Sequence, residues 1–198
     1  TGPCDDGDPC THDDTCAAST CKGTLALTIA CCGKAGGVPA GGQCTYTDGA
    51  GHKMSLVPEG EFWMGCNAAK DTSCAASEKP QHRVELTGFW LDVFEVTVTQ
   101  FKACVTSGSC TSPGTAAGCT WNAANKGQHP TNCVAWTQAT AYCKWRGGDL
   151  PTEAQWEKAA RGGCEKNGGS AACQAGMPTY PWGEMDPDCT LAVMFEGS

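Results

Sequence analysis

Cysteines have the widest chemistry in this chain, and their number and spacing decide what that chemistry can be. The 198 residues include 17 cysteines. Thiolates bind soft metals and attack electrophiles, whereas pairs of thiols oxidise to disulfides. No Cys-x-x-Cys pair or His-x-x-x-His spacing offers these side chains to zinc. A cysteine content this high is typical of an exported, disulfide-linked protein. Because the total is odd, at least one sulfur lacks a partner within these residues.

The spacing also predicts which cysteines close local loops. Cys66 and Cys74 bracket one short segment, and Cys164 and Cys173 bracket another. Each of these two pairs is well placed to form a disulfide. The adjacent cysteines at 31–32 are expected to bond to two different neighbours, since vicinal cysteines seldom bond to each other.

Acidic residues near the amino terminus could ligate calcium. Residues 1–23 contain four cysteines and five aspartates but almost no large apolar residue, so disulfides are expected to hold them as a cysteine-rich repeat. Asp5, Asp8 and Asp13 supply hard oxygen ligands at close spacing. The EF-hand spacing with its bidentate Glu is missing, and solvated acidic turns explain the same residues. Residues 24–53 follow as a Gly/Cys-rich connector.

The remaining candidates for catalysis are few. His82 could act as a base, but no second histidine or nucleophile accompanies it, and a structural role is the commoner outcome. No Gly-x-Ser-x-Gly elbow is present for a serine hydrolase. We therefore predict no catalytic residue in this chain.

Charge and hydropathy exclude two classes of partner. The net charge is −8 and the isoelectric point is about 4.9, whereas nucleic acids and anionic membranes attract clustered Lys and Arg. The longest apolar run, residues 25–32, is far shorter than the roughly 20 residues that span a bilayer. The chain starts at Thr1 without a signal peptide, and we expect that an export segment has been removed. The predicted location is extracellular or at the cell surface.

Helical signals are clearest in residues 129–163, which should position most side chains of interest. A first helix is expected to start after Thr137 and to place Ala139, Tyr142 and Cys143 on its apolar face. The glycine pair at 147–148 stands where a helix usually ends.

A second helix follows directly in the sequence. Thr152 and Gln155 have the spacing of a capping box. Trp156, Ala159 and Ala160 are predicted to form its buried stripe, and a second glycine pair ends it.

Shorter elements are predicted on the amino-terminal side. Residues 54–65 read as two short strands joined at a Pro-Glu-Gly turn, where a larger domain of residues 54–198 begins. Val84 and Leu86 alternate with polar neighbours, as in a half-buried strand. Thr97 and Gln100 form another capping box, which should start a helix.

The sequence of residues 132–163 resembles the central signature of the formylglycine-generating enzyme and sulfatase-modifying-factor family. It reads NCVAWTQATAYCKWRGGDLPTEAQWEKAARGG. Further phrases that match the family are MSLVPEGEFWMG at 54–65, EKPQHRVELTGFWLDVFEVT at 78–97 and YPWG at 180–183. One departure is visible, because Gly147, Gly148 and Asp149 stand where the family usually has Gly-Lys-Arg. Any charge pairing that the two basic residues make in the family is therefore not expected at these positions. The signature residues are Trp136, Tyr142, Trp145, Leu150, Pro151, Thr152, Glu153, Trp156, Glu157 and Arg161.

The resemblance implies an α+β fold. It is the C-type-lectin-like fold of the sulfatase-modifying-factor family, with few short helices and strands, long loops and many disulfides. Here a small cysteine-rich segment precedes it. That segment resembles repeats in secreted proteins of gliding and other environmental bacteria.

The resemblance also implies a chemistry. Family members with oxidase activity convert a cysteine in a sulfatase Cys-x-Pro-x-Arg motif to formylglycine, with copper held by two cysteines near an Arg-Gly-Gly-Ser-Trp phrase. That phrase is absent here, so residues 54–198 are expected to be the front part of the domain and to be inactive alone. The family's calcium sites also belong to the later part. Cys143 and Cys189 are the candidates for an unpaired thiol.

Two function classes remain open from the sequence. The first is an exported oxidase of the formylglycine-generating type, whose partner is a sulfatase-like protein or peptide. The second is a non-catalytic binding or surface module that uses the same scaffold for an extracellular ligand. Two cysteines beside an Arg-x-Gly-Ser-Trp phrase would favour the first class.

Overall fold

Short strands and helices, linked by long loops and disulfides, make up the chain. The computed structural model describes residues 10–17, 20–25, 28–29, 31–40 and 42–192. The chain divides into two units, Thr1–Leu91 with Glu153–Ser198, and Asp92–Thr152. The mixed α and β composition, the short elements and the many disulfides confirm the predicted α+β class with few short helices and strands.

The first unit holds most of the strands, which form three hydrogen-bonded groups. A hairpin pairs β1 with β2, a four-stranded sheet has the order β3-β4-β5-β8, and β6 pairs with β7. Two helices, α3 and α4, complete this unit. The bounds are β1 Thr11–Ala17, β2 Thr20–Leu25, β3 Val38–Ala40, β4 Gln43–Thr47, β5 Lys53–Val57, β6 Gly60–Met64, β7 His82–Leu86, β8 Phe89–Asp92, α3 Glu153–Arg161 and α4 Gly169–Gly176.

Part of the predicted connector is built into the four-stranded sheet. Strands β3 and β4 lie within residues 24–53, and β4 pairs with β5 in the register Thr45 to Ser55. The disulfide between Cys32 and Cys44 anchors this region, because both sulfurs are buried beside Leu56. Cys31 bonds instead to Cys10. The adjacent cysteines therefore have two different partners, as their spacing predicts.

A second core in the first unit forms around Phe62, which is fully buried. Phe62 lies opposite Val84 in the β6–β7 pair, so alternate residues of both strands face the same interior. Cys164 and Cys173 form a disulfide and pack with Met177 into this core. Burial of these side chains against β6 holds α4, because a helix of only eight residues would be marginal alone.

The second unit is built on two helices, α1 (Val98–Thr106) and α2 (Trp136–Trp145). The Thr97 hydroxyl accepts from the Gln100 N–H at 3.3 Å, and the Gln100 side chain accepts from the Thr97 N–H at 2.9 Å, which confirms this capping box. Phe101 stacks on Tyr142 with 5.2 Å between ring centroids. These rings and the buried Trp121 form the core of the unit, which the Cys104–Cys110 and Cys119–Cys133 disulfides close.

The predicted start of α2 is wrong by two residues. The helix begins at Trp136, and the side chain of Gln138 accepts a hydrogen bond from the Ala135 N–H at 2.9 Å. This bond satisfies a backbone N–H at the start of the helix, two residues before the expected position. Trp136 is 72% exposed, whereas Tyr142 lies in the core.

The predicted buried face of α3 is also wrong. Trp156 is 64% exposed, and the fully buried residue of this helix is Lys158. The Lys158 ammonium donates to the carbonyl oxygens of Pro58 at 2.7 Å and Gly60 at 2.8 Å. A buried charge is tolerated when it is hydrogen-bonded, so these two carbonyls turn the lysine inward.

No helix in the described part of the chain combines the length and the apolar character that a membrane crossing requires.

Candidate functional site

A cavity of about 390 Å³ lies in the first unit, beside the exposed side of α3, and is called the α3 cavity below. Its walls come from α3, from the loop that follows β6 and from the segment after α4. Four signature residues of α3 contribute to it. The lining residues are Gly65, Cys66, Asn67, Lys70, Asp71, Glu78, Glu153, Trp156, Glu157, Arg161, Met177 and Thr179.

Arg161 and Glu157 fix one wall of the cavity. The Arg161 guanidinium donates to Glu157 at 2.5 Å, to the Gly65 carbonyl at 3.0 Å and to the Pro178 carbonyl at 2.8 Å. The same Glu157 oxygen accepts the Gly65 N–H at 2.8 Å. Charge-assisted bonds of this kind are the stronger ones in proteins. They tie α3 to the end of β6 and to the segment after α4.

Lys70 and Glu184 form a second fixed contact. The Lys70 ammonium donates to the Met177 carbonyl at 2.9 Å and to Glu184 at 3.1 Å. The Thr179 hydroxyl donates to the other Glu184 oxygen at 2.6 Å. The hydrogen bond from Thr179, followed by that from Lys70, holds the pKa of Glu184 below its ordinary value. Glu184 is therefore ionised at neutral pH and keeps Lys70 in place.

Gly65 allows the loop after β6 to pass close to its neighbour. Its φ is +90°, in the region that side chains rarely adopt. A Cβ atom at this position would lie 2.5 Å from the Glu78 carbonyl oxygen. The close approach also brings the Cys66 N–H to that carbonyl, at 2.9 Å. The cavity wall therefore depends on a glycine here.

Replacing Gly65 by Ala is expected to lower the free energy of unfolding by about 2 kcal/mol, through the strain of a positive φ and the clash with Glu78. Gly51 is the matched control, because its φ of +83° is similar but nothing lies within 4 Å of an added Cβ. Gly51→Ala should cost about 1 kcal/mol. Urea unfolding curves of both variants measure the difference. Equal losses would mean that the close approach to Glu78 does not exist.

The cavity rim carries the disulfide between Cys66 and Cys74. The two sulfurs and one Asp71 carboxylate oxygen lie within 4.8 Å of one another, a spacing that a metal ion could use. The sulfurs are bonded to each other, however, and Cu(I) requires thiolates. This group therefore does not fit copper, and no copper site is assigned to it.

The structure places the other predicted site residues as follows. Asp5 and Asp8 lie outside the described residues, and Asp13 lies in β1. The His82 ring nitrogen is 3.0 Å from the Pro80 carbonyl oxygen, at the exposed start of β7. Thr152 directly precedes the first residue of α3, and its capping role stays a prediction.

Cys143 and Cys189 are the two residues predicted from the sequence as candidates for an unpaired thiol. Cys189 is exposed. Cys143 has a free, half-buried thiol on α2. Burial raises its pKa, and the nearby Asp92 carboxylate adds to the effect, although Arg146 opposes it. A thiol with a raised pKa is protonated at neutral pH and is a poor nucleophile and metal ligand.

Two basic residues at the end of α2 have acidic partners. Arg146 donates to Asp92 at 2.6 Å, and Lys144 forms an ion pair with Asp149. Asp149 stands where the family usually has a basic residue, so this pair belongs to the present sequence. Tyr142 and Trp145 of the signature contact each other, with ring centroids 5.8 Å apart. Leu150 and Pro151 are partly buried before α3.

Sequence reasoning missed several cavity residues. Lys70 and Asp71 lie in the loop closed by the Cys66–Cys74 disulfide, and Thr179 follows α4. Nothing in their local sequence distinguishes them from other polar loop residues. The Glu157–Arg161 ion pair could have been predicted from the sequence, because opposite charges four residues apart lie on one face of a helix.

The sequence of the chain matches a known class of proteins. It belongs to the family described as the sulfatase-modifying factor enzyme 1-like domain, whose model matches residues 44–197. The match begins inside β4.

Individual relatives have different described roles. A formylglycine-generating enzyme of Streptomyces coelicolor is 34% identical over 146 residues, 54% of this chain and 46% of that protein. The hercynine oxygenase of Mycolicibacterium smegmatis is 27% identical over 162 residues, 69% of this chain and 36% of that protein. The inactive C-alpha-formylglycine-generating enzyme 2 of Bos taurus is 45% identical over 56 residues, 28% of this chain and 15% of that protein. The chain spans about half of the length of the formylglycine-generating enzymes it matches.

Proposed function

We propose that the protein is an exported member of the formylglycine-generating branch of this family, acting on a cysteine of a sulfatase-like protein. The observation that carries the proposal is the family match over residues 44–197, with formylglycine-generating enzymes among the relatives. The disulfides support export, because such bridges persist in oxidising compartments.

The role proposed for the described residues is to form the scaffold and a recognition surface. Within the described part of the chain, six disulfides join twelve cysteines, so these sulfurs are not available to a copper ion as thiolates. The Cys143 thiol is protonated at neutral pH. We therefore assign no oxidation step to these residues. Copper, where the protein uses it, would supply the activation of oxygen.

The alternative function is a non-catalytic extracellular binding module on the same scaffold. The similarity to the inactive bovine relative, at 45% identity over 56 residues, favours it. The α3 cavity is compatible with both functions, because it offers polar groups to a ligand without requiring chemistry.

The proposal is tested with the purified protein, including any residues that precede or follow this sequence in its gene. The protein is incubated with oxygen, copper and a peptide that contains Cys-x-Pro-x-Arg, and mass spectrometry detects an aldehyde as its oxime. We expect oxime formation from this peptide and none from the matched peptide with Ser in place of Cys. Absence of an aldehyde, under conditions in which a known formylglycine-generating enzyme produces it, would contradict the oxidase proposal and favour the binding module.

A further inference from the structure

The α3 cavity has an excess of negative charge. Asp71, Glu78, Glu153 and Glu157 line it, against two basic residues, Lys70 and Arg161. A recess of this kind concentrates the field of its lining charges and attracts the opposite charge. The balance therefore favours a cationic ligand over an anionic one.

The two basic residues are engaged within the protein. Arg161 contacts Glu157 and two backbone carbonyls. Lys70 contacts the Met177 carbonyl and Glu184. An anion in the cavity would have to compete with these oxygens for the donors. We therefore expect the cavity to bind phosphate or carboxylate groups weakly.

Glu153 and Trp156 are available to a ligand. They lie three residues apart on α3, so they share one face of the helix. Both side chains are exposed at the cavity, and Trp156 is 64% exposed. No hydrogen bond to the Glu153 carboxylate is present among the described residues. An aromatic face beside an uncommitted carboxylate is a common arrangement for binding an organic cation.

We propose that the α3 cavity binds the positively charged side chain of a peptide, an ammonium or guanidinium group, between the Glu153 carboxylate and the Trp156 indole. The alkyl part of the ligand lies along the indole, and the charged end meets the carboxylate. Glu157 is already bonded to Arg161, so it shapes the wall and is not the main partner. The inference does not rest on the proposed oxidase activity, since it requires no chemical step.

NMR titration of the Trp156 indole N–H tests the proposal, with the signal assigned from Trp156→Phe. The probes are capped Gly-Arg-Gly and Gly-Lys-Gly peptides, with Gly-citrulline-Gly as the neutral isostere of the first. We expect saturable binding of a cationic probe and at least about fivefold weaker binding of the citrulline peptide, the equivalent of one exposed charge contact. Binding should weaken as salt is added.

Variants identify the residues responsible. Glu153→Gln and Trp156→Ala should each weaken the binding of the cationic probe about fivefold; binding to Trp156→Ala is followed by calorimetry. Matched controls are Glu95→Gln and Trp136→Ala, which alter an exposed carboxylate and an exposed indole outside the cavity lining and should leave binding unchanged. Thermal unfolding confirms that each variant is folded.

Three results would overturn the inference. They are equal binding of the citrulline peptide, no effect of Glu153→Gln, and no binding of either cationic probe at millimolar concentration. The peptide-oxidation assay is independent of these results, so a failure of the oxidase proposal would leave the binding measurement interpretable.

Discussion

Replacing Lys158 by Met is expected to lower the free energy of unfolding by about 3 kcal/mol. The ammonium is completely buried and donates to the Pro58 and Gly60 carbonyl oxygens. The methionine side chain has a similar shape but leaves both oxygens without this donor, at about 1–3 kcal/mol for each buried unsatisfied group. Burial lowers the pKa of Lys158, and relief of that desolvation offsets part of the loss.

Urea unfolding at neutral pH measures the Lys158→Met effect. Lys144→Met is the matched control, because Lys144 is exposed and its ion pair with Asp149 should contribute less than about 1 kcal/mol. A loss for Lys158→Met no larger than that of the control would contradict the two buried hydrogen bonds.

Removing the Cys32–Cys44 disulfide, by changing both residues to Ala, is expected to cost about 4 kcal/mol. The bridge closes a loop with a sequence separation of 12, and loss of such a constraint on the unfolded chain costs about 3 kcal/mol. Both residues are at most 1% exposed, so the missing sulfurs also leave a void, which adds about 1 kcal/mol.

The matched control for this double variant is Cys66→Ala with Cys74→Ala. That bridge has a sequence separation of 8 and joins partly exposed residues, so its loss removes a similar chain constraint without opening the core. We expect its removal to cost at least about 1 kcal/mol less. Unfolding by guanidinium chloride, without reductant, compares the two. Equal costs would show that the buried position of Cys32 and Cys44 adds no stability.

Local sequence signals predicted the elements whose ends are determined locally. Thr97 and Gln100 cap α1 as expected, because both hydrogen bonds lie within one helical turn. The glycines after α2 and α3 have φ values of +83° and +82°, which fits their predicted place at the helix ends. Helix α4 was not predicted, since it has only eight residues and its position depends on the burial of Cys173 and Met177.

Contacts between distant segments could not be predicted in the same way. The Lys158 side chain faces inward because carbonyls about a hundred residues earlier in the chain meet it there. A pattern based on apolar residues therefore placed Trp156 on the buried face and did not identify Lys158. The cavity also depends on contacts between distant segments. Arg161 donates to the carbonyl of Gly65, which comes far earlier in the sequence, and to that of Pro178, which comes later. The part of the cavity that the sequence could predict is the α3 wall, because its residues recur at the three- and four-residue spacing of one helix face.

The neighbouring positions of Cys31 and Cys32 bear on how the protein acquires its covalent structure. Exchanging their partners would give a shuffled isomer with Cys10 bonded to Cys32 and Cys31 bonded to Cys44. Each disulfide-closed loop would then be one residue longer than in the native protein. Loop entropy hardly distinguishes the two isomers. The native one must be selected by packing, because Cys32 and Cys44 are buried beside Leu56 and Trp90. Oxidation before this sheet has formed would trap both isomers, so efficient maturation calls for a thiol isomerase or a slow oxidant.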